Sequence, residues 1–201
     1  SGIVAFFFLK GDKIGTKAVS ANSDESTTVA EALRMKPYVI ALVLTFISTW
    51  ITFGLRASIL PIFVTEELHS TTAVVGYGLA ISAVMQGIFL LRAGRFSDSK
   101  GRKESAVIGA NVVFVGVLLL TFSTHIWMFL ASMTILGLGG AFLTTTPASI
   151  VGDVIRGKGG KVIGIFQMAG DAGMMIGPIV IGAISDVYSY RTAFGFSAAI
   201  F

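Results

Sequence analysis

Two side chains carry a formal charge well inside apolar sequence, and both could do chemistry there. Asp171 interrupts the run 162–185, which is otherwise uncharged, and Arg56 interrupts an apolar run from 37 to 64. A charge in such surroundings is costly, so it turns toward a cavity or a partner rather than toward hydrocarbon. Asp171 lies about nine residues into its run, or roughly 14 Å at 1.5 Å per residue, close to the middle of a bilayer. A carboxyl group at that depth suits proton or substrate handling, and it equally suits a structural role as a cap or bridge between helices. Arg56 suits pairing with a carboxylate, contact with an anionic substrate, or an outward reach along its own stem. Thr52, Thr49 and Ser48 precede Arg56 as a polar stripe, with Trp50 on another face. Thr144-Thr145-Thr146-Pro147 forms a second polar stretch, in which hydroxyls either line a cavity or satisfy backbone groups freed by the proline. Gln167, one turn before Asp171, and also Gln86 and Asn111 offer interhelical hydrogen bonds. The candidate coupling and substrate residues are therefore Asp171, Arg56, Trp50, Thr52, Gln167 and Thr145.

Other chemistries find no support in the sequence. The chain has no cysteine, which excludes disulfides and thiolate nucleophiles, and its two histidines, His69 and His125, fall in short polar connections. There is no nucleophile–base constellation, no metal-binding spacing and no glycine-rich loop ending in Lys-Ser/Thr. The expectation is no catalytic residue, no metal, no cofactor and no enzyme. The net charge of +4 and the isoelectric point near 9.5 invite a nucleic-acid reading. A basic groove requires a soluble scaffold, and only 13% of the residues are charged while 54% are hydrophobic. Mean hydropathy is +0.83. A lipid bilayer, not nucleic acid, is the expected surrounding.

The elements that must position these residues follow from the gaps between charges. Residues 37–55, 68–91 and 105–152 carry no formal charge. A membrane-spanning helix takes about 20 residues. The 48 positions of 105–152 therefore hold two helices, with Ser123-Thr124-His125 as the turn. The expected fold is an all-α integral membrane bundle with five complete spans at 38–64, 72–92, 105–122, 126–151 and 162–185. Trp127 reads as an anchor at the membrane interface. Residues 1–9 and 192–201 are apolar but short, so each is expected to be a truncated helix. The runs do not alternate in polarity, which argues against a membrane β-barrel. If the helices alternate direction, one side receives residues 10–36, 92–104 and 152–161, with thirteen of the fifteen Lys and Arg. The other side receives Arg191 and the acidic Glu66, Glu67 and Asp186. Basic residues accumulate on the cytoplasmic side of a membrane, so the loops 10–36, 92–104 and 152–161 are expected to be cytoplasmic and the protein to be multi-pass in the plasma (cell inner) membrane. Residues 10–36 are polar and rich in Ser and Thr, as a linker would be. Thr28 and Glu31 have capping-box spacing for a short helix ending at Lys36, before Pro37.

The most specific local pattern is Gly94-Arg95-Phe96-Ser97-Asp98-Ser99-Lys100-Gly101-Arg102-Lys103, expected as a short cytoplasmic loop. Gly94 and Gly101 permit a sharp reversal at a helix end, Asp98 can pair with an arginine or a helix N-terminus, and Arg102 and Lys103 hold the loop inside. This stretch resembles the loop between the second and third helices of each six-helix half of the major facilitator superfamily. Gly94, Asp98, Gly101, Arg102 and Lys103 match it position by position, while Lys100 replaces the usual aromatic. A second resemblance lies in Gly170-Asp171-Ala172-Gly173-Met174-Met175-Ile176-Gly177-Pro178 and Gly182. It is similar to the fifth or eleventh helix of that superfamily, especially in its drug and metabolite efflux branches. Gly170, Gly173, Gly177 and Gly182 leave one face of this helix nearly bare backbone for close approach, and Pro178 weakens its hydrogen-bond ladder.

The helix 126–151 lacks the arginine that opens its counterpart in the amino-terminal half of many antiporters. The resemblance thus implies a carboxy-terminal half: the end of helix six (1–9), the central linker (10–36), and a bundle over 37–201 running from helix seven to the start of helix twelve. It implies alternating access, Asp98 and Arg102 as parts of a conformational switch, and a gating helix at Gly177-Pro178. It further implies a small-molecule substrate, proton-coupled efflux and a missing amino-terminal half as partner. An uptake permease would share the loop. A channel, a non-transporting receptor and a membrane enzyme are the readings from other classes.

Overall fold

The computed structural model describes residues 27–155 and 159–199, and the expected helix end at 1–9 and most of the linker lie outside the described residues. A short helix, α1 (Val29–Arg34), precedes the membrane helices. Its start is a reciprocal capping box: Glu31 N–H donates to Thr28 Oγ1 at 3.3 Å and Thr28 N–H donates to the Glu31 carboxylate at 2.9 Å. The helix stops at Arg34, two residues earlier than its sequence suggests, because Pro37 is better placed in the first turn of the next helix, where its missing N–H costs nothing.

Among the described residues five helices are long and apolar enough to cross a membrane: α2 (Lys36–Glu66), α3 (Thr72–Lys100), α4 (Arg102–Thr121), α5 (Ile126–Val154) and α6 (Gly160–Val187). A shorter helix, α7 (Tyr190–Ala199), follows. These match the expected spans within a few residues, with one exception. Helix α3 runs eight residues past 92, to Lys100. The stretch Gly94–Lys100 is therefore helical and not loop, and the reversal occurs at Gly101 alone, whose φ of 115° is open to glycine.

Helix α5 is the hub of the bundle, packing along both α3 and α4 and also against α2, while α6 lies along α2 and α7 bridges α4 and α6. Lipid tails are as apolar as the side chains, so the helices are held by close packing rather than by hydrophobic transfer. Glycine makes that packing possible. A methyl group on Gly137 of α5 would collide with the Ser82 carbonyl of α3, and one on Gly54 of α2 would sit 2.8 Å from the Gly177 carbonyl carbon of α6. The main core joins Leu55, Ile59 and Leu60 of α2 with Phe129, Met133 and Leu136 of α5. Near the outer ends Phe63 meets the ring of Phe194 edge-on at 5.0 Å. A second, smaller core forms at the cytoplasmic ends, where Tyr38 is buried and its hydroxyl donates to the Val162 carbonyl at 2.8 Å. Apolar side chains also cover the outside, among them Leu91 at 73% exposure and Trp127 at 81%, as lipid-facing and interfacial positions require.

Helix α2 is not uniform. Residues Trp50–Ile59 form a π-helix between α-helical segments Lys36–Thr49 and Leu60–Glu66. The Leu60 N–H donates to the Leu55 carbonyl, five residues back. Pro61 follows and has no N–H to contribute, and Gly54 within the segment brings the backbone against α6.

Candidate functional site

Arg56 stands in the π-helical segment of α2, half-buried, with a guanidinium N–H donating to the Ser82 hydroxyl of α3. Ser82 in turn donates to the Leu79 carbonyl at 2.9 Å. The Arg56 Nε–H is buried and has no partner among the described residues. Ser48, Thr52, Arg56 and Gly140 lie together on a small cavity of about 20 Å³. Beside it, Gln86 of α3 donates to the Thr144 hydroxyl of α5 at 2.9 Å, and a methyl group on Gly140 would touch the Gln86 amide at 3.6 Å. Polar groups of α2, α3 and α5 thus form one continuous patch, of which Thr52 and Thr144 are exposed.

The other polar candidates divide. Trp50 is only 5% exposed, and its ring lies 5.9 Å from that of Phe46, so it belongs to the core and not to an accessible surface. The physical reason is the α2–α6 crossing, where a methyl group on Gly177 would come within 3.2 Å of the Trp50 carbonyl. Thr145 bonds back to the Ala141 carbonyl at 3.0 Å, and buried Thr146 shares a hydrogen bond of 2.8 Å with Ser105 of α4. The threonine run therefore serves helix geometry near Pro147 as well as the polar patch. Gln86 makes the interhelical bond expected of it, whereas Asn111 donates to Val107 of its own helix at 2.8 Å.

Helix α6 has two faces. Gly170, Gly173 and Gly177 are buried against Thr45, Phe46, Thr49, Trp50 and Gly54 of α2. Gly182 is not part of this face, since a methyl group there would meet nothing within 4 Å. Spacing alone suggested four glycines in one stripe; the contact uses three. On exposed positions stand Gln167 and Asp171, one turn apart, and neither makes a hydrogen bond or ion pair among the described residues. Met168, Met174 and Met175 are exposed alongside them at 47–67%. Methionine is polarizable and adapts its shape, so this surface suits varied apolar partners, with one carboxylate in its midst.

The third cluster is the cytoplasmic clamp. Arg102, the second residue after Lys100 ends α3, bonds the Asp98 carboxylate one turn back, the Ser97 hydroxyl at 3.2 Å and the Asp153 carboxylate of α5 at 2.9 Å. One guanidinium thereby ties the end of α3, the start of α4 and the end of α5. Gly94 is not a turn residue but lies within α3, while Gly101 makes the turn and Lys103 is exposed beside the clamp. Asp153 and Ser82 are the partners that sequence reasoning missed. Asp153 had a signal, as the acid that ends the uncharged run 105–152; Ser82 had none. At the opposite end of the bundle Tyr190 donates to the Glu66 carboxylate. That bond, with Asp186 and Glu67 adding negative charge nearby, pushes the phenol up to about 12. Among the described residues no group of His, Asp or Glu gathers into a metal site.

The sequence matches the family model for the Major Facilitator Superfamily over residues 41–201. The chain belongs to the major facilitator superfamily. Among its curated relatives, a multidrug resistance protein MdtG of Yersinia enterocolitica is 32% identical over 157 residues, covering 76% of this chain. The MdtG of Proteus mirabilis is 29% identical over 152 residues, covering 74% of this chain. The chain spans 38% of the length of each. A solved structure of a peptide transporter POT in complex with sulfate superposes on 82% of the chain with a TM-score of 0.72 at 22% identity, covering 35% of that transporter. A mutant of that transporter, also with sulfate, gives 0.72 over 81% at 21% identity. This likeness shows the fold alone; the family match and the five apolar helices of membrane length make the protein a multi-pass protein of the inner membrane.

Proposed function

We propose that this bundle is the carboxy-terminal half of a secondary transporter that exports a small, amphipathic molecule by alternating access, coupled to protons. The observation that carries the reading is the exposed face of α6, where the Asp171 carboxylate, unpaired among the described residues, stands with three methionines directly behind a glycine face that packs on α2. The bare glycine contact lets α6 and α2 shift against each other with little side-chain interlock. A soft surface accepts varied apolar bodies, and a carboxylate in it can exchange a proton for cargo. The MdtG relatives, named as multidrug resistance proteins, support export.

In this reading the Arg102 clamp holds the cytoplasmic ends together in one state of the cycle and opens in the other. The amino-terminal half of the same transporter supplies the opposing wall of the cavity. The coupling ion is a proton, no cofactor takes part and no covalent chemistry occurs on the cargo. The test uses the full-length transporter in proteoliposomes, with efflux of a fluorescent amphipathic probe measured with and without an imposed pH gradient. Efflux should follow the gradient in the wild type and lose that dependence in Asp171→Asn. Gradient-dependent efflux that is unchanged in Asp171→Asn would remove this residue from coupling, and gradient-driven uptake would reverse the proposed direction.

A further inference from the structure

We infer that the polar patch around Arg56 receives an oxyanion group, such as a carboxylate, on the transported molecule; this rests on the transport function proposed above. A guanidinium removed from water demands a counter-charge and a full set of acceptors. Arg56 has neither. Its contact is a neutral serine hydroxyl, its Nε–H is buried without an acceptor, and among the described residues no carboxylate pairs with it.

The surroundings say what size of acceptor is missing. The adjoining cavity of about 20 Å³ has room for about one water-sized group, so a whole molecule does not enter it. A single oxygen of a larger ligand does. The rest of such a ligand would lie across the neighbouring polar patch, where Thr52 and Thr144 are exposed and Gln86 holds Thr144. Guanidinium and oxyanion also match in charge, because an ionised N–H donor bonds an anionic oxygen more strongly than a neutral one. A fixed carboxylate elsewhere in the full transporter would satisfy the charge too. It would not account for a patch of polar groups drawn from three helices beside a cavity that Gly140 helps to line.

The experiment measures binding of three matched probes to the full-length transporter in lipid nanodiscs: 2-naphthoate, 2-naphthylmethylammonium and 2-naphthalenemethanol. Charge-assisted hydrogen bonds predict that naphthoate binds at least about tenfold more tightly than the alcohol. Arg56→Gln should abolish that advantage and Arg56→Lys should keep part of it. Equal binding of the three probes by the wild type, or preference for the ammonium, overturns the inference without recourse to any variant. A naphthoate preference that survives intact in Arg56→Gln also overturns it, and would leave Arg56 to a fixed carboxylate. Transport of the same probes in proteoliposomes separates the two readings. Transport without anion preference refutes the anion site alone, whereas anion-selective binding without transport of any probe supports the site and refutes the transporter reading.

Discussion

Replacing Gly54 with alanine tests whether the α2–α6 contact is as close as the structure makes it. The added methyl group would lie 2.8 Å from the Gly177 carbonyl carbon and 3.0 Å from both its Cα and its oxygen. Carbon atoms at rest sit about 3.5–4.0 Å apart, and all three obstructing atoms are backbone, so a rotamer change cannot relieve the overlap. The helices must part by roughly 0.7 Å, and a gap of that size forfeits a quarter to a half of the dispersion energy between the atoms that separate. Overpacking of this kind costs about 1–3 kcal/mol, against which alanine returns roughly 1 kcal/mol of helix propensity.

Two other positions calibrate the number. At Gly177 the new methyl would meet Trp50 and Gly54 backbone atoms at 3.2–3.3 Å, a milder overlap, and at Gly182 it would meet nothing within 4 Å. Thermal unfolding of the full-length transporter in nanodiscs should therefore rank Gly54→Ala below Gly177→Ala, with Gly182→Ala at or above wild type. The span from first to last should be about 2 kcal/mol. Equal stability of Gly54→Ala and Gly182→Ala would refute the close backbone contact on which the gating argument rests.

Three further predictions concern the ends of the helices. Asp153→Asn should change unfolding by less than about 1 kcal/mol, as exposed ion pairs do, yet slow probe efflux, because Arg102 loses its tie to α5; an unchanged efflux rate would deny the clamp a part in the cycle. Gly101→Ala should destabilise by about 1–3 kcal/mol, measurable in the same unfolding assay, since the φ of 115° and ψ of 150° at Gly101 are strained for any side chain. Tyr190 titrates higher in the folded protein, about 12 against an ordinary 10. Its neutral phenol thus contributes stability that is complete below pH 10 and lost as pH rises toward 12. Tyr190→Phe should flatten the fall in stability across that window, and an identical alkaline slope in the two proteins would contradict the Glu66 bond.

The spans were legible because the membrane forbids charge, so gaps between Lys, Arg, Asp and Glu outline the helices. The end of α3 was not legible for the same reason in reverse. A helix emerging into water need not stop where its hydrophobicity stops, and Ser97, Asp98 and Lys100 continue it until Gly101 reverses the chain. The capping box at Thr28 and Glu31 could be read because it is local, whereas the Arg102–Asp153 bond joins residues 51 apart and exists only after α4 and α5 pack. Trp50, read from sequence with the substrate candidates, lies in the core because α2 and α6 cross at its backbone. The π-helix takes extra residues per turn, so faces counted at 3.6 residues drift along Trp50–Ile59, where Arg56 meets Ser82. Asp171 and Arg56 stood out as charges in apolar runs, but only packing shows that each stands without a carboxylate–guanidinium partner among the described residues.

As half of the proton-coupled exporter proposed above, the bundle should move cargo only where a proton gradient drives it. The most direct measurement is probe efflux from proteoliposomes holding the full-length transporter, recorded as the pH gradient is imposed, collapsed and inverted. Efflux should rise with the gradient, stop on its collapse and become gradient-independent in Asp171→Asn. Efflux indifferent to the gradient in the wild type would contradict proton coupling.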